Sequence, residues 1–234
     1  MCPTLPADSP PDVGVLVPAA GRGERAGAGL PKQFRPIAGV PMLLRAIRPF
    51  AQHPRVRMIV VALPPESAKT PPEWLAPLLG DRLRVVAGGA TRATSVRCAL
   101  AALMPECRLV LVHDAARPFV SQAEIDGVIA AAERGTGALA AIPVSDTLKQ
   151  SADGHRVTTT ASRAGLWRAL TPQGFPRSLL EQAYAAAGDT LDATDDAGIV
   201  EAAGGTVVLV PGRTTNLKIT TPEDFAMAEA LARP

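Results

Sequence analysis

The stretch VPAAGRGERAGAGLPKQF, Val17 to Phe34, follows the apolar run VGVLV and is dense in small residues, glycines and cations. Glycines after a strand let backbone N–H groups approach anionic oxygens and form a nest for phosphate. Arg25 and Lys32 add full positive charge, which suits a site where negative charge grows during phosphoryl or nucleotidyl transfer. A flexible turn with two solvated cations would look the same by the loop alone. Two other phosphate-loop patterns compete. G-x-x-x-x-G-K-[ST] fails, because Lys32 lies between Pro31 and Gln33. G-x-G-x-x-G/A matches at Gly21, Gly23 and Ala26, but it requires an acid about 20 residues on for the ribose hydroxyls. No Asp or Glu stands between Arg25 and Pro65, which disfavours a nicotinamide or flavin site.

Further clusters sit behind other apolar runs. HDAARP, His113 to Pro118, follows LVLV. Asp114 there is a candidate Mg²⁺ ligand, since a hard cation prefers carboxylate, water and phosphate oxygens. Arg117 could grip a second phosphate in bidentate fashion; equally, Asp114 could cap the turn with Arg117 paired to it. His113 reads as structural. In GGATRATS, Gly88 to Ser95, the two glycines expose backbone that could read a base edge, Ser95 adds a hydroxyl and Arg92 reads as structural; a plain strand-to-helix turn is the alternative. Lys218, between Leu217 and Ile219 in GRTTNLKIT, could point into a site while its neighbours pack, or face water. TDDAGIVE reads as a helix start with Thr194 as N-cap and two acids in the first turn. Cys98 and Cys107 read as small buried hydrophobes. No Ser-His-Asp order and no metal-spaced His cluster stands out.

These clusters need a scaffold that brings the ends of several strands together. Six apolar runs recur: VGVLV, VRMIVVAL (56–63), LRVVAGG (83–89), LVLV (109–112), ALAAIPV (138–144) and TVVLVPG (206–212). Helical patterns stand between them, including PMLLRAIRPFAQ, TRATSVRCALAALM and a stretch after Ser121, which N-caps with Glu124 completing a capping box. A final helix opens at TTPEDFAMAEAL. The expected fold class is α/β, a Rossmann-like, mainly parallel sheet covered on both faces. Ligands in such sheets sit beyond the carboxyl ends of the strands. The segment 145–170 breaks the rhythm: Asp153-Gly154 is a hairpin signal and VTTT follows it, so the expectation is a projecting β-arm. Such an arm is either a dimerisation device or a solvated hairpin.

Composition narrows the function classes. The chain has 234 residues, 47% of them hydrophobic, enough for one sizeable α/β domain. A net charge of +2 with scattered basic residues, one Tyr, two Trp and five Phe argues against a nucleic-acid surface. Three cysteines at non-zinc spacing point to a reducing compartment. MCPTLPADSPPD has neither a basic nor an apolar signal region, so residues 1–12 are expected to be a flexible lead before a domain over 13–234. No stretch reaches the length of a membrane span. A cytoplasmic enzyme is the expectation, and with the sequence ending at Pro234 just after the last helix no fused second enzyme is expected.

Taken together, PAAGxGxRxxxxxPKQF, HDAARP, PVxDTxK, LWxxxTPQ, TDDAxxVE and NxKIT occur here in the order found in 2-C-methyl-D-erythritol 4-phosphate cytidylyltransferases of the nonmevalonate isoprenoid pathway. The chain resembles that family from roughly Val13 to Ala232. The resemblance implies a glycosyltransferase-A-like nucleotidyltransferase fold, CTP as co-substrate, Mg²⁺, and a homodimer formed through the β-arm. It implies backbone contacts to the nucleotide from Ala19, Ala20 and Gly21. Gly89, Ala90 and Ser95 would recognise cytosine and ribose, with Ala115 nearby. It implies transition-state stabilisation by Arg25 and Lys32, a metal on Asp114, and Lys218 near the α-phosphate. Arg117 and Thr147 would hold the alcohol phosphate, and Arg163 and Thr171 would reach it from a partner's arm. Departures are Glu24, where some relatives have a basic or neutral residue, Ala26 in place of a common Met, Ser162 where an Asp usually precedes the arginine, and Ala90, which offers only backbone to a base. A cytidylyltransferase for another alcohol phosphate, such as ribitol 5-phosphate, and a non-catalytic nucleotide-binding domain are the rival readings.

Overall fold

The computed structural model describes residues 10–21, 30–188 and 194–233. In chain order the elements are β1 (Val13–Pro18), β2 (Pro36–Ile37), β3 (Val40–Pro41), α1 (Met42–Ala51), β4 (Val56–Leu63), α2 (Pro65–Lys69), β5 (Leu83–Ala87), α3 (Arg92–Ala101), β6 (Leu109–Val112), α4 (Gln122–Ala132), β7 (Gly137–Pro143), β8 (Leu148–Gln150), β9 (Thr159–Ala161), β10 (Trp167–Pro176), α5 (Arg177–Ala187), α6 (Asp196–Ala202), β11 (Val207–Pro211) and α7 (Pro222–Leu231). All six apolar runs are strands. They form one seven-stranded sheet ordered β11-β7-β10-β6-β1-β4-β5, in which only β10 is antiparallel.

Burial on both faces explains the apolar runs of the central strands β1, β4, β6 and β7. Val13, Val15 and Val17 point to one face with Ile59, Val61, Leu109 and Leu111, where α1 and α4 cover them through Leu43, Ile47, Phe50, Ile125, Val128 and Ile129. Leu16, Met58, Val60, Val110 and Val112 point to the other face, covered by α3, α5 and α6 through Val96, Ala99, Leu180, Tyr184, Ile199 and Val200. Helix α4 starts as its sequence predicts: Ser121 accepts from the Glu124 N–H, and Glu124 reaches back to the Ser121 N–H. Helix α6 starts one residue later than expected. Its N-cap is Asp195 rather than Thr194, and the Asp195 side chain accepts from the Gly198 N–H at 3.0 Å.

Strand β10 is not evident in the sequence because WRALTPQGFP mixes apolar residues with Pro, Thr and Gln. Its buried Thr171 and Gln173 have partners waiting, so burying their polar groups is not penalised. The arm is real but shorter than 145–170. β8 and β9 pair only with each other, and residues from Trp167 onward already belong to the central sheet. Its tip is wider than a two-residue turn: Asp153 Oδ1 accepts from the N–H groups of His155 and Arg156, both at 2.8 Å, and Gly154 sits at φ +73°. Cys107 is buried as expected, but Cys98 is exposed. No described helix is long and apolar enough to cross a membrane.

Candidate active site

The chain runs from β1 outward to β4 and β5, then returns to place β6 on the other side of β1. That reversal opens a crevice at the carboxyl ends of β1 and β6, the place where open α/β sheets bind ligands. A cleft of about 330 Å³ lies there. It gathers Ala19, Ala20 and Gly21 after β1, Gly89, Ala90, Thr91, Arg92 and Ser95 after β5, Asp114 and Ala115 after β6, with Lys32 and Lys218. Ten of the fifteen site residues that the resemblance implies therefore line one cavity. Arg25 lies outside the described residues, as do Glu24 and Ala26. Arg117, Thr147, Arg163 and Thr171 are not in the cleft wall.

Each wall is fixed by backbone. Ala19 N–H donates to the Ala62 carbonyl, Gly88 N–H to Leu63 and His113 N–H to Leu16, so the three loops leave the sheet at one level. Gln33, buried in the turn after Pro31, donates to the Ala19 carbonyl at 2.7 Å and holds the first loop. Gly88 is required by close approach: a Cβ there would stand 2.4 Å from the Ala20 Cβ. The N-terminus of α3 opens onto the cleft, capped by Thr91, and presents the positive end of its dipole. The Ser95 hydroxyl is already engaged, donating to the Thr91 carbonyl at 2.9 Å and accepting from the Gly89 N–H at 3.2 Å.

Charge concentrates on Asp114. Lys218 Nζ is 2.9 Å from its Oδ2 and Arg92 Nε 3.2 Å from its Oδ1. Burial opposes ionisation of this carboxyl, but Arg92, Lys218 and Arg117 outweigh it and hold the pKa well below the usual carboxylate range. Arg92 in turn lies 2.7 Å from Oδ2 of the fully buried Asp196, an ion-pair contact outside good hydrogen-bond alignment, and Tyr184 donates to the other oxygen at 2.6 Å. Arg92 is thus structural, as its sequence context suggests. Asp196 does more than favour a helix start: it supplies the counter-charge for Arg92. Lys32 donates to the Ile219 carbonyl at 2.8 Å, linking the first loop to the Lys218 segment.

Two expected substrate contacts have other employment. Arg117 is buried, and its guanidinium donates to the backbone carbonyls of Asn216 at 2.8 Å and Ala169 at 3.4 Å, leaving only Nε without a hydrogen bond. A bidentate fork toward a phosphate is not what it presents. Burial pushes its pKa down, with Asp114 opposing and Arg168 adding to the fall. Thr171 is also buried, and it lies on β10 rather than on the β8–β9 hairpin. Its Oγ1 accepts from the Asp114 N–H at 3.1 Å and bonds His113 Nδ1 at 2.9 Å. His113 is fully buried, and its other nitrogen bonds the Arg117 carbonyl. Burial pushes its pKa down to about 4, so it is a neutral strut beneath Asp114. Thr147 and Arg163 are exposed, at the base and the returning end of the arm. Ser162 Oγ accepts from the Ala164 N–H at 3.3 Å, shaping the turn on which Arg163 sits.

The model of the family described as "IspD: 2-C-methyl-D-erythritol 4-phosphate cytidylyltransferase" matches residues 13–233. The chain belongs to this family. Among curated members, a 2-C-methyl-D-erythritol 4-phosphate cytidylyltransferase of Saccharopolyspora erythraea is 49% identical over 220 residues, covering 92% of this chain and 97% of the relative. One from Frankia casuarinae is 46% identical, covering 97% and 83%. The crystal structure of the family member from Thermus thermophilus superposes with a TM-score of 0.81 at 39% identity, covering 95% of this chain and all of that one. The seven-stranded, mostly parallel sheet is therefore the family fold.

Proposed function

We propose that this protein transfers the cytidylyl group of CTP to 2-C-methyl-D-erythritol 4-phosphate, releasing pyrophosphate, in isoprenoid precursor synthesis. The observation that carries the reading is one cleft that joins a Gly-rich backbone cradle to the Asp114–Lys218 pair, in a chain matched by the family model over 13–233.

The chemistry asks for charge management rather than a base. A phosphomonoester is already an anionic nucleophile; its oxygen attacks the α-phosphorus, the new P–O bond forms, and the bond to the β-phosphate oxygen breaks. The obstacle is bringing two anions together in line. Lys218 and Lys32 screen that repulsion, with Arg25 as the third cation. The backbone of Ala19–Gly21 holds the triphosphate, and Gly89, Ala90, Ser95 and Ala115 frame the base and ribose. Ser95 acts mainly through the backbone it shapes. No group of three or more His, Cys, Asp or Glu gathers to hold a metal among the described residues. Asp114 nevertheless suits Mg²⁺, which takes one or two carboxylates and completes its shell with water and substrate phosphate. The surrounding cations keep Asp114 ionised for that purpose. When bound, Mg²⁺ neutralises phosphate oxygens.

The arm supplies the remaining contacts from a second copy of the chain. Val157, Leu166 and Trp167 are exposed apolar residues on or beside it, which supports burial in a homodimer. Arg163 and Thr147 would meet the alcohol phosphate at that junction, and Arg117 would shape it from beneath. The location is taken to be the cytoplasm. Pyrophosphate release tests the substrate: with Mg²⁺ and CTP, 2-C-methyl-D-erythritol 4-phosphate should turn over and ribitol 5-phosphate should not. Turnover of ribitol 5-phosphate alone would keep the mechanism and overturn the substrate.

A further inference from the structure

Glu124 lies in the first turn of α4, outside the cleft, and is fully buried. A buried carboxylate is tolerated only with donors around it, and this one has four. Oε2 accepts from the Ser121 N–H at 2.9 Å and the Ser121 hydroxyl at 2.8 Å, which completes the capping box. Oε1 accepts from the Arg213 N–H and from Asn216 Nδ2, both at 3.0 Å. A capping box uses one oxygen. The second reaches across to the segment that delivers Lys218. Asn216 passes its other amide hydrogen to the Thr171 carbonyl at 2.8 Å, and Thr171 Oγ1 accepts from the Asp114 N–H. One carboxylate thereby fixes the start of α4, the Lys218 segment and the Asp114 loop against one another.

We propose that Glu124 is a positioning residue for nucleotidyl transfer, setting Lys218 against Asp114 through Asn216. The inference rests on the reading of Lys218 as the cation at the α-phosphate. Only an acceptor-only group satisfies four donors. Glu124→Gln keeps the shape but turns an amide NH₂ toward one donor pair and removes the charge from the other.

A double-mutant cycle on pyrophosphate release tests this, using the full chain with CTP, 2-C-methyl-D-erythritol 4-phosphate and Mg²⁺. Glu124→Gln should lower kcat about 10- to 100-fold, the scale of a misplaced reacting group, while KM for CTP moves little. In a Lys218→Ala background the same change should cost nothing further. Ser121→Ala, which breaks the cap but spares the Asn216 branch, should lower the melting temperature and leave kcat unchanged. If Glu124→Gln does not fold, Asn216→Ser cuts the same link from the other end with the cap complete, and it should show the same kcat loss and the same silence behind Lys218→Ala. A full kcat in folded Glu124→Gln, a loss that multiplies with that of Lys218→Ala, or an equal kcat loss in Ser121→Ala would overturn the inference. Unchanged turnover in Lys218→Ala alone would instead sink the reading of the cleft, and the inference with it.

Discussion

In the cleft, the charged side chains have partners drawn from distant parts of the chain; in the arm, partners are local. Asp114 is held by Arg92, Lys218 and Thr171, and Lys32 is tied to Ile219. On the arm, Lys149 donates to Thr160 across the hairpin, Asp153 closes its own turn, and Ser162 bonds two residues on. The cleft is preorganised by one folded chain, whereas the arm is a short two-stranded ribbon that is marginal on its own. Preorganised charge is what a transfer between two anions requires. A contact made by an exposed arm gains its definition from whatever the arm meets.

The largest expected effect comes from breaking the cleft's charge. Lys218→Ala should lower kcat about 10²–10³-fold, by analogy with loss of one charge-stabilising group, with the fold kept because this side chain is half-exposed. Steady-state pyrophosphate release with circular dichroism as a fold control checks it.

The strut beneath Asp114 gives a pH signature. His113 has its pKa lowered to about 4 by burial, against an ordinary 6.5. The unfolded chain therefore binds the proton first, so stability is present in full above about pH 6.5 and falls as pH drops toward 4. The full span is worth about 3 kcal/mol. His113→Gln should flatten that slope in denaturant titrations between pH 4 and 6.5. Protonation of Asp114 lies below this window, since its pKa is lowered.

Glycine substitutions sharpen the contrast further. Gly174→Ala places a Cβ 2.5 Å from Val128 Cγ1 and 2.8 Å from Leu111 Cδ2, between sheet and helix, and should cost about 1–3 kcal/mol of global stability. Gly154→Ala meets no atom within 4 Å, but its φ of +73° disfavours a side chain by about 1 kcal/mol. That strain should loosen the arm tip alone, visible as faster amide exchange there with an unchanged melting temperature.

Much of this is legible in the amino-acid sequence. The central parallel strands β1, β4, β6 and β7 announce themselves because burial on both faces leaves little room for polar residues, and the Ser121–Glu124 cap reads directly. Ten candidate residues meet in one cleft because loops after parallel strands converge at the sheet's carboxyl edge. What stayed hidden depends on long-range polar pairing. The start of strand β10 reads as the end of the arm and its remainder carries no strand pattern, because polar Gln173 is buried by accepting from the Asp196 and Ala197 N–H groups. Arg117 and Thr171 are the right residue types to bind phosphate, and both are buried with hydrogen bonds inside this chain that no local pattern announces. Gln33 and Asp196 carried only ordinary signals, a polar residue in a turn and an acid at a helix start. Arg25 falls outside the described residues.

In the proposed dimer, labour is divided: one chain's cleft would perform the transfer and a second chain's arm would help hold the acceptor. Mixing two variants tests it directly. Lys218→Ala keeps its arm and loses its cleft; Arg163→Ala keeps its cleft and should bind 2-C-methyl-D-erythritol 4-phosphate about tenfold more weakly, the loss of one charged hydrogen bond. Co-refolded in equal amounts and assayed at low acceptor concentration, the mixture should recover about a quarter of wild-type turnover, since half the dimers would each carry one complete site. Activity no higher than the mean of the two separate variants would contradict an arm that serves its partner.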